Sequence, residues 1–267
     1  MKLSLLTHKI ALSWDLPSVI DTAQRLGFAG VEFRVDANHA HGVELGRSKD
    51  ERRVIREQIE DAYLEVAGIG TGCRLDWPEP DKRREVIDQA KRYIELASDL
   101  GCGRVRVFGN DIPDDVDRRD CIGYVAEGLH TLAEFAEPVA VDVLLEMHGQ
   151  FNFWGFARSA VDAANHPNVG ILYNCDQRDV VGGSITATYS RVRQWVRHVH
   201  MHELSSGFPY SELFGLLAAD GYEGYLSPEI SVSDPTPEQY LSLYATLARS
   251  WVHDALTVAA PRHNRPC

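Results

Sequence analysis

No run of apolar residues in this chain approaches the roughly 20 that a membrane-spanning helix needs, so no span is expected. The opening stretch, Met1-Lys2-Leu3-Ser4-Leu5-Leu6-Thr7-His8, is broken by polar residues too soon to be a signal peptide. Cysteine is sparse. The five residues Cys73, Cys102, Cys121, Cys175 and Cys267 are odd in number and form no CxxC pair. That excludes a disulfide framework and a zinc-thiolate site, and it points to free thiols in a reducing compartment, the cytoplasm. Positive charge is also short. Lys and Arg total 27 against 39 Asp and Glu, a formal net charge of −12, with no basic face of the kind that tracks phosphate backbones. Nucleic acid is therefore not an expected partner. No Walker-type phosphate loop is present, and Gly182-Gly183-Ser184 is only a faint hint of an anion site.

What remains is a length and composition suited to one large α/β unit or two small ones. The 267 residues are 44% hydrophobic, enough for a sizeable core. Short apolar strands alternate with helical stretches. Helical patterns near 16–26, 83–100 and 210–220 each end at a glycine (Gly27, Gly101, Gly221), where a left-handed C-cap is wanted, and a strand follows almost at once. Strands are predicted near 2–7, 30–35, 64–70, 104–108, 140–147, 169–174, 197–202 and 224–229. Alternation of this kind means parallel strands with right-handed crossovers. About eight units imply a closed (β/α)8 TIM barrel in a single α/β domain over residues 1–260, rather than an open doubly wound sheet. Residues 261–267 are expected to fray.

The two-residue period of a strand then sorts side chains into outer and inner faces. On the second strand Val31, Phe33 and Val35 face the helices, leaving Glu32, Arg34 and Asp36 inside. The fifth strand turns Leu144, Glu146 and His148 inward, and the sixth Leu172, Asn174 and Asp176. The seventh turns in His198, His200 and His202, and the eighth Tyr225, Ser227 and Glu229. Four successive strands thus carry carboxylates, imidazoles or an amide inward near their C-terminal ends, where barrels of this kind hold active sites. Burying such groups unpartnered costs about 2–7 kcal/mol each even when neutral. One divalent cation would satisfy these groups together, and mixed ligation by Glu146, Asn174 or Asp176, His200 and Glu229 suits Mn, Mg, Co or Zn. Several inward or nearby groups have plainer readings. Glu32 and Arg34 serve equally as an internal salt bridge or as substrate contacts. His198 lies deeper and reads as structural. The run Phe151-Asn152-Phe153-Trp154 packs the core or forms an apolar wall against a sugar ring. The histidines of His39-Ala40-His41-Gly42 read as surface loop residues.

These residues carry a resemblance. Leu144-Leu145-Glu146-Met147-His148-Gly149, Val199-His200-Met201-His202-Glu203 and Gly221-Tyr222-Glu223-Gly224-Tyr225-Leu226-Ser227-Pro228-Glu229, in this order and spacing, resemble the xylose isomerase-like barrel superfamily, in its branch of sugar (phosphate) isomerases and epimerases. The resemblance spans nearly the whole chain. It implies a divalent metal held by Glu146, Asn174, His200 and Glu229. The family usually has aspartate at the Asn174 position and a histidine three residues on, where this chain has Gln177. Asn ligates a hard cation more weakly than a carboxylate, and Asp176, on the same face, is a substitute ligand. The resemblance further implies proton transfer next to a carbonyl through an enediolate. Glu146 and Glu229 would be acid and base, with His148, His202, Glu32, Arg34 and Trp154 around a small, sugar-like substrate. Proton return to the same carbon epimerises and return to the neighbouring carbon isomerises. Loss of a β-hydroxyl instead makes a dehydratase of keto-polyols. The alternatives are an impaired sugar-binding barrel marked by Asn174, a metal-free acid/base pair, and a multi-zinc repair endonuclease, which the acidic charge disfavours. A homo-oligomer is expected by analogy alone.

Overall fold

The protein is described by a computed structural model that covers residues 1–231 and 236–259. Eight parallel strands close into one barrel in sequence order. They are β1 (Lys2–Leu6), β2 (Gly30–Arg34), β3 (Glu65–Arg74), β4 (Arg104–Phe108), β5 (Asp142–Glu146), β6 (Val169–Asn174), β7 (Val196–Met201) and β8 (Tyr225–Pro228). The helices are α1 (Leu16–Arg25), α2 (Lys49–Asp61), α3 (Pro80–Asp99), α4 (Arg118–Ala136), α5 (Trp154–Ala164), α6 (Thr186–Tyr189), α7 (Tyr210–Ala219) and α8 (Pro237–Ala259). Among the described residues no helix is long and apolar enough to cross a membrane. The expected tail, 261–267, lies outside the described residues.

Local chemistry starts and stops these elements. The Asp15 side chain accepts from the backbone N–H of Ser18 to open α1, and a Ser48/Glu51 capping box opens α2. Gly27, at φ +70°, turns the chain out of α1 towards β2. After β6 the polar stretch forms only a 3-10 turn at Gln177–Asp179 before the four-residue α6. Gly182 and Gly183 lie between them at positive φ, a stretch with no apolar periodicity for a longer helix to use.

The apolar core lies between sheet and helices. Phe33, Val35, Val143, Leu145, Met147, Ile171, Tyr173, Val199, Met201 and Leu226 are fully buried there. Burial contributes about 1.5–3 kcal/mol for each side chain of this size. The inner face of β3 is different. Gly68, Gly70 and Gly72 leave it without side chains. A Cβ at Gly68 would lie 3.4 Å from Glu32, one at Gly70 would lie 3.0 Å from Arg106, and one at Gly72 would lie 3.1 Å from Asp36. The flanking strands fill this space with charged groups.

Candidate active site

Sheet register brings the inward groups of β5 to β8 to one level. Phe108 pairs with Glu146, Glu146 with Leu172, Asn174 with His200, and His200 with Ser227, with Glu229 two residues on. His200 is the centre of the cluster. Its Nδ1 lies 3.6 Å from Glu146 Oε1 and 3.7 Å from Glu229 Oε2. Its Nε2 lies 2.8 Å from Glu32 Oε1. Burial would raise the Glu32 carboxyl, but His200 and His198 beside it hold it well below the ordinary carboxylate value. An ionised carboxylate only accepts, so Nε2 of His200 carries a proton. In the neutral ring the Nδ1 lone pair then faces two carboxylates, and this buried atom has no hydrogen-bond partner. Burial would lower His200, yet Glu32 and Glu146 push it up to about 10. The position calls for positive charge, as a proton or as a cation. The ligand atoms of Glu146, His200 and Glu229 lie within 4.8 Å of one another, close enough to share one ion.

Glu146 is fully buried. Burial pushes its carboxyl up, but the Arg106 guanidinium, His200 and His148 hold it down at about 2. Arg106 Nε lies 2.9 Å from Glu146 Oε2, and Asn174 Nδ2 donates to Glu146 Oε1 at 3.2 Å. Glu229 is more open, with 24% of its side chain exposed, and its Oε1 lies 3.6 Å from His8 Nε2. Burial outweighs Glu229 at His8 and holds that imidazole down at about 4, so it is neutral near pH 7.

Asn174 is held from its other end by His202, whose Nε2 lies 2.8 Å from Asn174 Oδ1 and whose Nδ1 lies 3.1 Å from the Glu229 carbonyl. Two facing oxygens require two imidazole protons. With one proton, on Nδ1, the amide turns over, Nδ2 donates to His202, and Oδ1 faces the carboxylates. That second orientation suits a cation.

The other residues picked from sequence fall in several places. Glu32 lies beneath the cluster, buried, between His198 (2.7 Å) and His200 (2.8 Å), and does not face the open end. His198 also contacts Ser227 Oγ at 2.9 Å, and Ser227 contacts Ser4 Oγ at 2.6 Å, which matches its structural reading. Arg34 is tied to Asp36, to the Val35 carbonyl and to the Gly70 carbonyl. Asp176 caps the 3-10 turn and pairs with Arg178 at 2.7 and 3.0 Å, so it is engaged away from Asn174. His148 stands at the rim, its Nδ1 2.7 Å from Asn110 Oδ1. Gly149 makes that corner possible, because its φ is +58° and a Cβ would lie 2.4 Å from the Asn110 carbonyl. Trp154 opens α5 with its ring near Phe153 and the Arg191 guanidinium, away from the cluster. The histidines expected on a surface loop are buried instead. His39 and His41 stack at 5.4 Å, and His41 spans the Arg34 carbonyl and the Val43 N–H. Arg106 was not picked from sequence, although Val105 and Val107 flank it and the strand period turns it inward.

A sequence profile described as xylose isomerase-like TIM barrel matches residues 20–249, and the chain belongs to that family. A 2-oxo-tetronate isomerase of Cupriavidus necator is 26% identical over 220 residues, 76% of this chain and 82% of that protein. The D-psicose 3-epimerase of Clostridium cellulolyticum H10, solved with D-tagatose, superposes with a TM-score of 0.78 at 17% identity, covering 96% of this chain and 99% of that one. A probable 3-DHS dehydratase of Bacillus anthracis superposes at 0.73, also with 17% identity, covering 93% and 99%. These structural likenesses are likenesses of fold.

Proposed function

We propose that the protein is a metal-assisted isomerase or epimerase of a small sugar or keto-polyol, working by proton transfer through an enediolate. The observation that carries this reading is the buried Nδ1 of His200, unpartnered and facing Glu146 and Glu229. Membership of the xylose isomerase-like family and the named activities of its relatives support it. Glu146, His200 and Glu229, with the carbonyl of Asn174, would hold one divalent cation, Mn, Mg, Co or Zn. When bound, the cation supplies Lewis acidity to a substrate carbonyl and its neighbouring hydroxyl.

The chain's own residues divide the remaining work. Glu229 is the more open carboxylate and takes or returns the proton on the carbon next to the carbonyl. Glu146, ionised at rest beside Arg106, exchanges a proton on the opposite face. Epimerisation thus starts with one of the two carboxyls ionised and the other protonated, and isomerisation returns the same proton to the neighbouring carbon. His148 at the rim orients substrate hydroxyls, and His202, whose two ring nitrogens meet Asn174 and the Glu229 carbonyl, acts by orienting Asn174. The substrate is a small molecule, and four buried free cysteines support a reducing compartment, the cytoplasm.

Metal content of the protein purified without chelator, beside Glu229→Ala, tests the site. About one equivalent in the parent, lost in the variant, is the expected result. Ketoses and keto-polyols incubated with the protein in D2O should then take up deuterium at the carbon next to the carbonyl. No metal after soaking in Mn²⁺, or no exchange with any substrate, would overturn the reading. Release of water with a new carbonyl would instead make the protein a dehydratase.

A further inference from the structure

The site contains a cation of its own. Arg106 reaches inward from β4 with only 6% of its side chain exposed, and its Nε stops 2.9 Å from Glu146 Oε2. Two features hold it there. Its guanidinium carbon sits 4.0 Å from the centre of the Phe108 ring. On the other side Gly70 has no Cβ, and one placed there would lie 3.0 Å from Arg106 Nη2. Yet the contact with Glu146 is not a locked fork. Arg106 Nε, Arg106 Nη1 and Glu146 Oε2 all lack an aligned hydrogen-bond partner despite being buried. This is a charge contact at hydrogen-bond distance but out of line, and another cation can share the carboxylate.

The formal charges around the site govern how tightly such a cation is held. Glu146 and Glu229 supply two negative charges as ligands, Glu32 supplies a third behind His200, Asn174 supplies none, and the Arg106 guanidinium supplies one positive charge. A divalent ion bound by Glu146, His200 and Glu229 therefore meets a set whose net charge is already reduced by a neighbour a few ångströms away. In a dry interior that repulsion is weakly screened.

We propose that Arg106 is the resident counter-cation of Glu146, and that it sets the metal affinity of the site by competing with a divalent ion for that carboxylate. The proposal rests on the metal-assisted reading above. Arg106 holds Glu146 in place when the ion is away, and weakens the ion's hold when it is present. It is a positioning residue, acting through Glu146. Together with Asn174 it makes the site suited to a loosely held, exchangeable ion rather than a permanently bound one.

The test is Mn²⁺ affinity by titration calorimetry, with melting temperature measured with and without Mn²⁺, for the parent, Arg106→Met, Arg106→Gln, Arg106→Lys and Glu229→Ala. Removing the charge should tighten Mn²⁺ binding about tenfold or more. It should also lower the melting temperature of the metal-free protein and enlarge the rise that Mn²⁺ brings. Arg106→Gln keeps the test readable where Arg106→Met fails to fold. Arg106→Lys, which keeps the charge, should stay within about threefold of the parent. If the parent binds Mn²⁺ and Glu229→Ala does not, while Arg106→Met and Arg106→Gln bind no tighter, the role of Arg106 is overturned and the metal site stands. If neither the parent nor the charge-removed variants bind Mn²⁺, both readings fall together.

Discussion

The two halves of the barrel interior are built on different rules. From β5 to β8 each strand brings a polar group to one level, and these groups face one another with incomplete hydrogen bonding. From β2 to β4 the inward groups serve as supports. Glu32 fixes the tautomer of His200, β3 withdraws its side chains, and Arg106 balances Glu146. A site whose polar atoms are left open for a ligand needs such a second half, because the open groups cannot hold one another in place.

If this division is right, changes in the two halves should fail differently. Glu229→Gln should lower turnover about 10²–10⁴-fold while the melting temperature barely moves, since Glu229 is partly exposed and makes few contacts. Unaltered turnover with any active sugar would remove Glu229 from the chemistry. Glu32→Ala should instead cost about 3–5 kcal/mol of stability in denaturant melts, because two buried imidazoles lose their acceptor. It should also weaken Mn²⁺ binding by about 10–100-fold through the lost orientation of His200. A well-folded, tightly binding variant would show that Glu32 supports nothing.

The pH dependence of metal binding sharpens the same contrast. His200 titrates near 10 in the folded, metal-free chain, raised from 6.5. Its proton therefore stabilises the metal-free fold fully below about pH 6.5, and this contribution is lost as pH rises through 10. The same proton competes with the ion for Nδ1. Mn²⁺ affinity should rise with pH between 7 and 10, by up to about tenfold per unit, and a flat profile would place the proton elsewhere. The smallest effect is expected at Gly70→Ala, whose new methyl meets Arg106 Nη2. It should cost about 1–3 kcal/mol, and a neutral result in thermal melts would mean that Arg106 has room to move.

How much of the fold and site was legible in the sequence depends on the range of the forces involved. The expected strands near 104–108 and 169–174 coincide with β4 and β6, and the other six agree within a few residues. The inward set on β5 to β8 came from the same alternation. The buried His39 and His41 were not legible, because a loop has no period to read and its burial depends on packing over Phe33. Arg106 was legible by the same alternation rule, but a lone arginine among valines gives no sign of its partner. The ties of Glu32 and Asp176 to His198, His200 and Arg178 removed them from the open face, and nothing local forecast that.

The sequence by itself determined the eight strands, the glycine stops and which side chains turn inward, because strand period and helix capping are properties of a few adjacent residues. Only the tertiary structure decided which inward groups meet. Glu32 joins His198 and His200 across separations of 166 and 168 residues. Arg106 reaches Glu146 because β4 pairs with β5 in the register that sets Phe108 beside that glutamate. Barrel closure and register place these charges, and the competition among them for a few buried carboxylate oxygens gives the site its character.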